Sequence, residues 1–214
     1  MADRSRAPQA RTRLARQAVL DAAGTLFLER GYGGTTIEAI SHASDVPQAT
    51  VYRLFSSKEG ILKALTDVSV AGDDEPVPVA DRPDVHSLLN ATDPWDRLAG
   101  LAALSLDINT RTAPIYRILV SAAGSDSAAA AILEELTRQR QEGQGRVASS
   151  LARSRALRPG LRARDAADLI HALASPELYR LLVIDRQWSS DRFERWLSEA
   201  LADQLLRKPR ADSR

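Results

Sequence analysis

Between Gly31 and Glu59 the chain carries five helix stop or start signals, so closely spaced that any helix between them is held to about two turns. Gly31-Tyr32-Gly33-Gly34 ends a helix, because glycine accepts the positive φ that a helix terminus needs. Thr35-Thr36-Ile37-Glu38 reads as a capping box, with Thr35 at the N-cap and Glu38 three residues on. Ser44-Asp45-Val46 is a tight turn. Pro47 then suits the first position of a helix, having no N–H to leave unbonded and a preset φ. Ser56-Ser57-Lys58-Glu59 is a second capping box and opens a further helix.

The flanks supply the platform. In the segment 12–30, Val19, Ala22, Ala23, Leu26 and Phe27 recur at the spacing of one helical face. Ile37 and Ile40 continue an apolar side in the second helix, Val51, Leu54 and Phe55 in the third, and Ile61, Leu62, Leu65 and Val68 in the fourth. Two short helices joined by a three-residue turn, with a longer one ahead, make a helix-turn-helix. Its second helix must protrude into a major groove about 12 Å wide. Opposite Val51 and Phe55, the outward residues are Gln48, Ala49, Tyr52 and Arg53. Gln and Arg can each bond a base edge in two places. The Thr50 and Tyr52 hydroxyls suit phosphate oxygens. Thr36, with the free N–H groups beside it, forms an anion site, and Lys58 stands where it can reach a phosphate.

The stretch GYGGTTIEAISHASDVPQATVYRLFSSKEGIL resembles the DNA-binding domain of the TetR family of repressors. The resemblance covers about 12–65 and rests on Leu26, Phe27, Gly31, Tyr32, Thr35, Thr36, Ile40, Val46, Thr50, Tyr52, Phe55, Lys58, Glu59 and Leu62. The chain departs from the family pattern at four places. Asp45 replaces the turn glycine, Pro47 the serine before the recognition helix, Leu54 an aromatic or His, and Ser41 an alanine. Asp tolerates the left-handed conformation that such a turn requires.

The resemblance implies an all-α architecture of two domains. A basic arm without structure (1–11) precedes the helix-turn-helix domain (12–65). A helical regulatory and dimerisation domain (66–207) and a tail (208–214) follow. The pattern after Trp95 is helical throughout. It places helices at Ala128–Leu157, Arg164–Ile184 with a kink at Pro176, and about 190–206, and a break at Pro114. In similar proteins the last two long helices pair between subunits and the domain encloses a ligand pocket. Here the pairing surface would be Leu178, Leu182, Phe193, Trp196, Leu197 and Leu201. The pocket candidates are Trp95, Ser105, Asn109, Tyr116 and His171, with Asp107 and Arg111 beside them.

Charge and composition narrow the function. The chain is near neutral overall, yet residues 1–63 hold nine basic and six acidic residues, hence +3, and five of those arginines lie within residues 1–17. A basic arm suits a polyanion. There is no cysteine, and the only histidines are 42, 86 and 171. No HExxH, GxSxG or Gly-rich phosphate loop occurs, so neither an enzyme nor a cofactor or metal protein is expected. No apolar run approaches a membrane span, and the charged N-terminus lacks a signal-peptide core, which points to the cytoplasm. The expected function is a homodimeric repressor that grips a pseudo-palindromic operator in double-stranded DNA and is released by a small-molecule effector. The fourth helix would be the lever. The alternative is a regulator without such an effector, controlled by a partner protein or acting as an activator.

Overall fold

The structure is a computed structural model that describes residues 6–73 and 79–207. It divides into two compact units. The first holds residues 6–73 and 114–134, and the second the remainder. The tail 208–214 lies outside the described residues, as do residues 1–5 of the arm.

The first unit is built on α1 (Arg6–Arg30), α2 (Ile37–Ser44), α3 (Gln48–Phe55) and α4 (Lys58–Ala71). Its core takes Val19, Leu20, Ala23, Leu26 and Phe27 from α1, Ile40 from α2, Val51 and Phe55 from α3, and Ile61 and Leu62 from α4. Fully burying a side chain of this kind contributes about 1.5–3 kcal/mol, which is why the stripes read from the sequence face inward. Helix α1 begins at Arg6, so residues 6–11 are helical, contrary to the expectation of an unstructured arm. The run Ala-Pro-Gln-Ala-Arg continues good helix formers back from the anchored part, with Pro8 close enough to the start to lose no bond.

The second unit contains a short 3₁₀ turn (Val79–Asp81), α5 (Pro83–Asn90), the first part of α6 (Pro94–Ala123) and the last part of α7 (Ser127–Arg153). It continues with α8 (Ala163–Leu173), α9 (Pro176–Tyr179), a π-helical segment (Arg180–Asp185) and α10 (Ser190–Leu205). Its core joins Leu98, Leu101 and Ala102 of α6, Val147, Ala148 and Leu151 of α7, Ala166 and Ile170 of α8, and Phe193, Leu197 and Leu201 of α10.

The prolines behave differently from the sequence reading. Helix α6 runs through Pro114 without ending. Pro114 is exposed, while Asn109, Thr112, Ile115, Ile118 and Leu119 around it are buried. That burial outweighs the roughly 3 kcal/mol that an interior proline costs. Pro176, expected to kink one helix, instead starts a new one. Helix α8 stops at Leu173, the Ser175 hydroxyl accepts from Leu178 N at 3.1 Å, and Pro176 takes the first turn, where its missing N–H is harmless. The chain then widens into six residues of π-helix, spanned by an Arg180–Asp185 ion pair and closed by Gln187 at φ 55°.

Candidate nucleic-acid interface

The turn between α2 and α3 forms as its residues dictate. Asp45 sits in the left-handed region at φ 54°, ψ 30°, and its N–H bonds back to Ser41 O. Val46 is buried beneath it, and Ser41 Oγ donates to Val46 O at 2.7 Å. Pro47 is the N-cap rather than the first helical residue, and α3 starts at Gln48. Along α3 the two sides separate cleanly. Val51 and Phe55 are buried, whereas Gln48, Ala49, Tyr52 and Arg53 are exposed, Tyr52 by half. Thr50 lies between, half-buried. Four of the residues expected to face a groove are thus brought onto one solvent-facing side.

Both capping boxes are displaced by one residue. Thr36, not Thr35, caps α2, its Oγ1 accepting from Ala39 N at 3.1 Å. Thr35 is buried, and its hydroxyl, 2.9 Å from Gly31 O and 3.2 Å from Leu26 O, is committed to the carbonyl end of α1. Thr36 remains exposed and keeps a hydroxyl proton to give. Likewise Ser57, not Ser56, caps α4 by accepting from Gly60 N at 3.0 Å. Ser56 takes φ 64°, ψ −36°, and Ser57 N donates to Phe55 O at 2.7 Å, a φ-positive γ-turn that is rare because it is strained.

Lys58, the residue the sequence reading assigns to a phosphate, donates its ammonium to Tyr32 O at 2.8 Å and stands 4.2 Å from the centre of the Tyr32 ring, pinning the start of α4 to the loop after α1. Burial, followed by the charges of Asp126 and Glu59, pushes the Tyr32 phenol up to about 12, so that it stays neutral. A second contact has no local signal in the residues: Arg16 of α1 lies over the Phe55 ring at 5.0 Å, touching the end of α3.

The model of the family described as bacterial regulatory proteins, tetR family, matches residues 19–65. The segment so matched is 47 of the 214 residues. The match contains all seven positions proposed to meet DNA. Over 47 residues, 22% of this chain, the sequence is 40% identical to the uncharacterized HTH-type transcriptional regulator YvkB of Bacillus subtilis (strain 168), and the match spans a quarter of that relative's length. Similarity of fold extends further than similarity of sequence. SmeT, solved as a complex with triclosan, superposes with a TM-score of 0.70 over 91% of this chain and 92% of its own, at 19% identity. NalD, the secondary repressor of the MexAB-OprM multidrug efflux pump in Pseudomonas aeruginosa, gives 0.66 over 91% and 98%, at 23% identity. At these identities the likeness concerns architecture, an N-terminal TetR helix-turn-helix followed by a helical domain.

Outside the TetR segment, the proposed ligand residues are distributed over both units. Trp95 is half exposed at the start of α6, Ser105 is half-buried, and Tyr116 belongs to the first unit while the other four lie in the second. Asp107 and Arg111 pair with each other one turn apart. Asn109 is buried, with Nδ2 3.4 Å from Ala174 O. His171 carries the clearest polar cluster: Nδ1 is 2.9 Å from Gln144 Oε1, and Nε2 is 3.0 Å from Arg140 Nη2. With an amide oxygen at Nδ1 and a guanidinium at Nε2, the ring is neutral and protonated on Nδ1. Sequence reasoning missed Arg140 and Gln144; their i, i+4 spacing on α7 was the available signal.

Burial first, and then the Arg140 charge, lower the His171 pKa below 6.5, with Glu177 and Asp168 opposing. A histidine whose folded pKa is depressed contributes stability above its unfolded value and loses it as pH falls. The melting temperature is therefore expected to decline faster below pH 6.5 in the parent than in His171→Gln. Parallel melting curves across roughly pH 8 to 5 would refute this.

The pairing surface also needs correction. Phe193, Leu197 and Leu201 are 0% exposed within their own subunit, so they cannot meet a partner. An apolar stripe looks the same whether it packs inside or outside the subunit. Leu178, Leu182 and Trp196 are half-buried, and the sequence reading passed over Leu181 and Ile184, which are 45% and 55% exposed on the π-helical segment.

Proposed function

We propose that this protein is a sequence-specific transcriptional repressor that works in the cytoplasm as a homodimer, binds a pseudo-palindromic operator in double-stranded DNA, and leaves it when a small molecule binds. The observation that carries the reading is the division of α3, with Val51 and Phe55 buried and Gln48, Ala49, Tyr52 and Arg53 free to enter a groove. Two recognition helices in a symmetric dimer would sit about 34–36 Å apart or at a multiple of that distance. The apolar Leu181 and Ile184, with Leu178, Leu182 and Trp196, are the residues a second copy would cover.

Release by a ligand is a linked equilibrium: a molecule that lowers DNA affinity is itself bound more weakly on DNA, by the same factor. Triclosan in SmeT supports a small-molecule effector in this architecture. Asn109 and the His171–Gln144–Arg140 cluster are the polar groups best placed to orient one in the second unit. A melting-temperature screen with small molecules tests this part, and the absence of any shift would favour control by a partner protein.

The DNA reading is tested by selecting duplexes from a random pool with the full chain. The selected sequence should be a pseudo-palindrome. Arg53→Ala should cost about 1–3 kcal/mol on it and relax base preference, with little change on scrambled DNA. Equal losses on both duplexes would remove Arg53 from base reading.

A further inference from the structure

Beyond the groove-reading helix, we infer that the amino-terminal half of α1 is a second DNA-contacting element that holds the phosphate backbone beside it. This rests on the DNA-binding reading of α3 but concerns different residues. From Arg4 to Leu20 the chain has five arginines and no acid. The described part of that stretch is helical from Arg6, yet no side chain from 10 to 18 is buried, and the first core residue is Val19. Between residues 10 and 18 these turns leave Arg11, Thr12, Arg13, Leu14 and Gln17 exposed and the others half-buried. No acidic residue stands in the first turn to offset the positive end of the helix dipole. A stretch with these charges gains from a polyanion what it does not gain from packing.

The direction of the stretch is set by one contact. Arg16 lies over the ring of Phe55, the last residue of α3, at 5.0 Å. Arg13 is exposed one turn earlier on the same face, and Arg11 is exposed two residues before that. Positive charge thus runs from Arg53 on α3 to the adjoining surface of α1. The TetR match begins at residue 19, so these arginines lie ahead of the matched segment. An anionic membrane surface is a poorer partner. Leu14 is the only large apolar side chain between residues 10 and 18, and membrane-surface helices need an apolar face.

The test compares full-length parent, R11Q/R13Q and the control R162Q/R164Q on one short duplex of random sequence, between about 50 and 200 mM salt. Arg11 and Arg13 lie outside the core, so the fold is retained. The slope of log affinity against log salt should become shallower by about 0.9 for each arginine that had held a phosphate, while R162Q/R164Q keeps the parent slope. An unchanged slope in R11Q/R13Q, or an equal change in the control, overturns the inference. Loss of binding to phosphatidylserine vesicles in R11Q/R13Q with an intact DNA slope would also overturn it, in favour of a membrane. If the parent fails to distinguish selected from scrambled duplex, groove reading by α3 fails, yet the slope comparison still decides the role of α1.

Discussion

Replacing Phe193 with alanine is expected to lower the unfolding free energy by about 3–5 kcal/mol, with the loss independent of protein concentration. The ring is fully buried, edge-on to Tyr179 at 5.5 Å and tilted against Trp196 at 6.0 Å, and it sits with Leu197 and Leu201 in the core of the second unit. Truncation leaves a cavity that neighbours on α8 and α10 cannot fill without leaving their rotamers. Ile184→Ser provides the contrast. At a side chain 55% exposed, it should change subunit stability by no more than about 0.5 kcal/mol and weaken self-association instead. Chemical unfolding at two protein concentrations, with light scattering, separates the pair. A Phe193→Ala protein that folds normally but fails to associate would return that residue to the subunit interface.

The second large effect is expected at Gly60. A Cβ added there would lie 1.9 Å from Phe55 O, well inside contact distance. The obstacle is a backbone carbonyl already bonded to Ser57 N, so no side chain can swing aside. Overpacking of this kind costs about 1–3 kcal/mol or more, and with a backbone atom as the obstacle the upper end is expected. Because the displaced atoms belong to the last residue of α3, Gly60→Ala should also lose at least about ten-fold in DNA affinity, equivalent to about 1.4 kcal/mol. Gly143, in α7, has nothing within 4 Å of its would-be Cβ, so Gly143→Ala should be neutral or stabilise by up to about 1 kcal/mol. Gel shifts and unfolding curves of the two variants check both statements. A Gly60→Ala protein that binds and melts like the parent would show that the α3–α4 junction has slack.

The short helices were readable because their signals are local: a glycine stop, a left-handed Asp45, a proline start. The one-residue error at each cap has a physical origin. Thr-Thr and Ser-Ser each offer two equivalent hydroxyls, and tertiary demands decide between them. Thr35 is drawn inward to the end of α1, and Ser56 is consumed by the γ-turn, leaving Thr36 and Ser57 to cap. The prolines show the same limit. Pro114 and Pro176 have the same local chemistry, but burial around the first carries the helix through, while the Ser175 cap beside the second starts a new one. The bond from Lys58 to Tyr32 O could not be read from sequence either, because the carbonyl is 26 residues away. The outward face of α3 followed directly from helical periodicity, whereas the partners of His171 lie on another helix.

The junction after Phe55 has a mechanical consequence. Helices α3 and α4 are separated by two residues, one locked in a strained turn and the other capping the next helix, and Phe55 O rests against Gly60. Such a joint behaves as a weld. Helix α3 cannot swivel by itself, and any tilt imposed on α4 reappears as a change in the direction in which Tyr52 and Arg53 face the solvent.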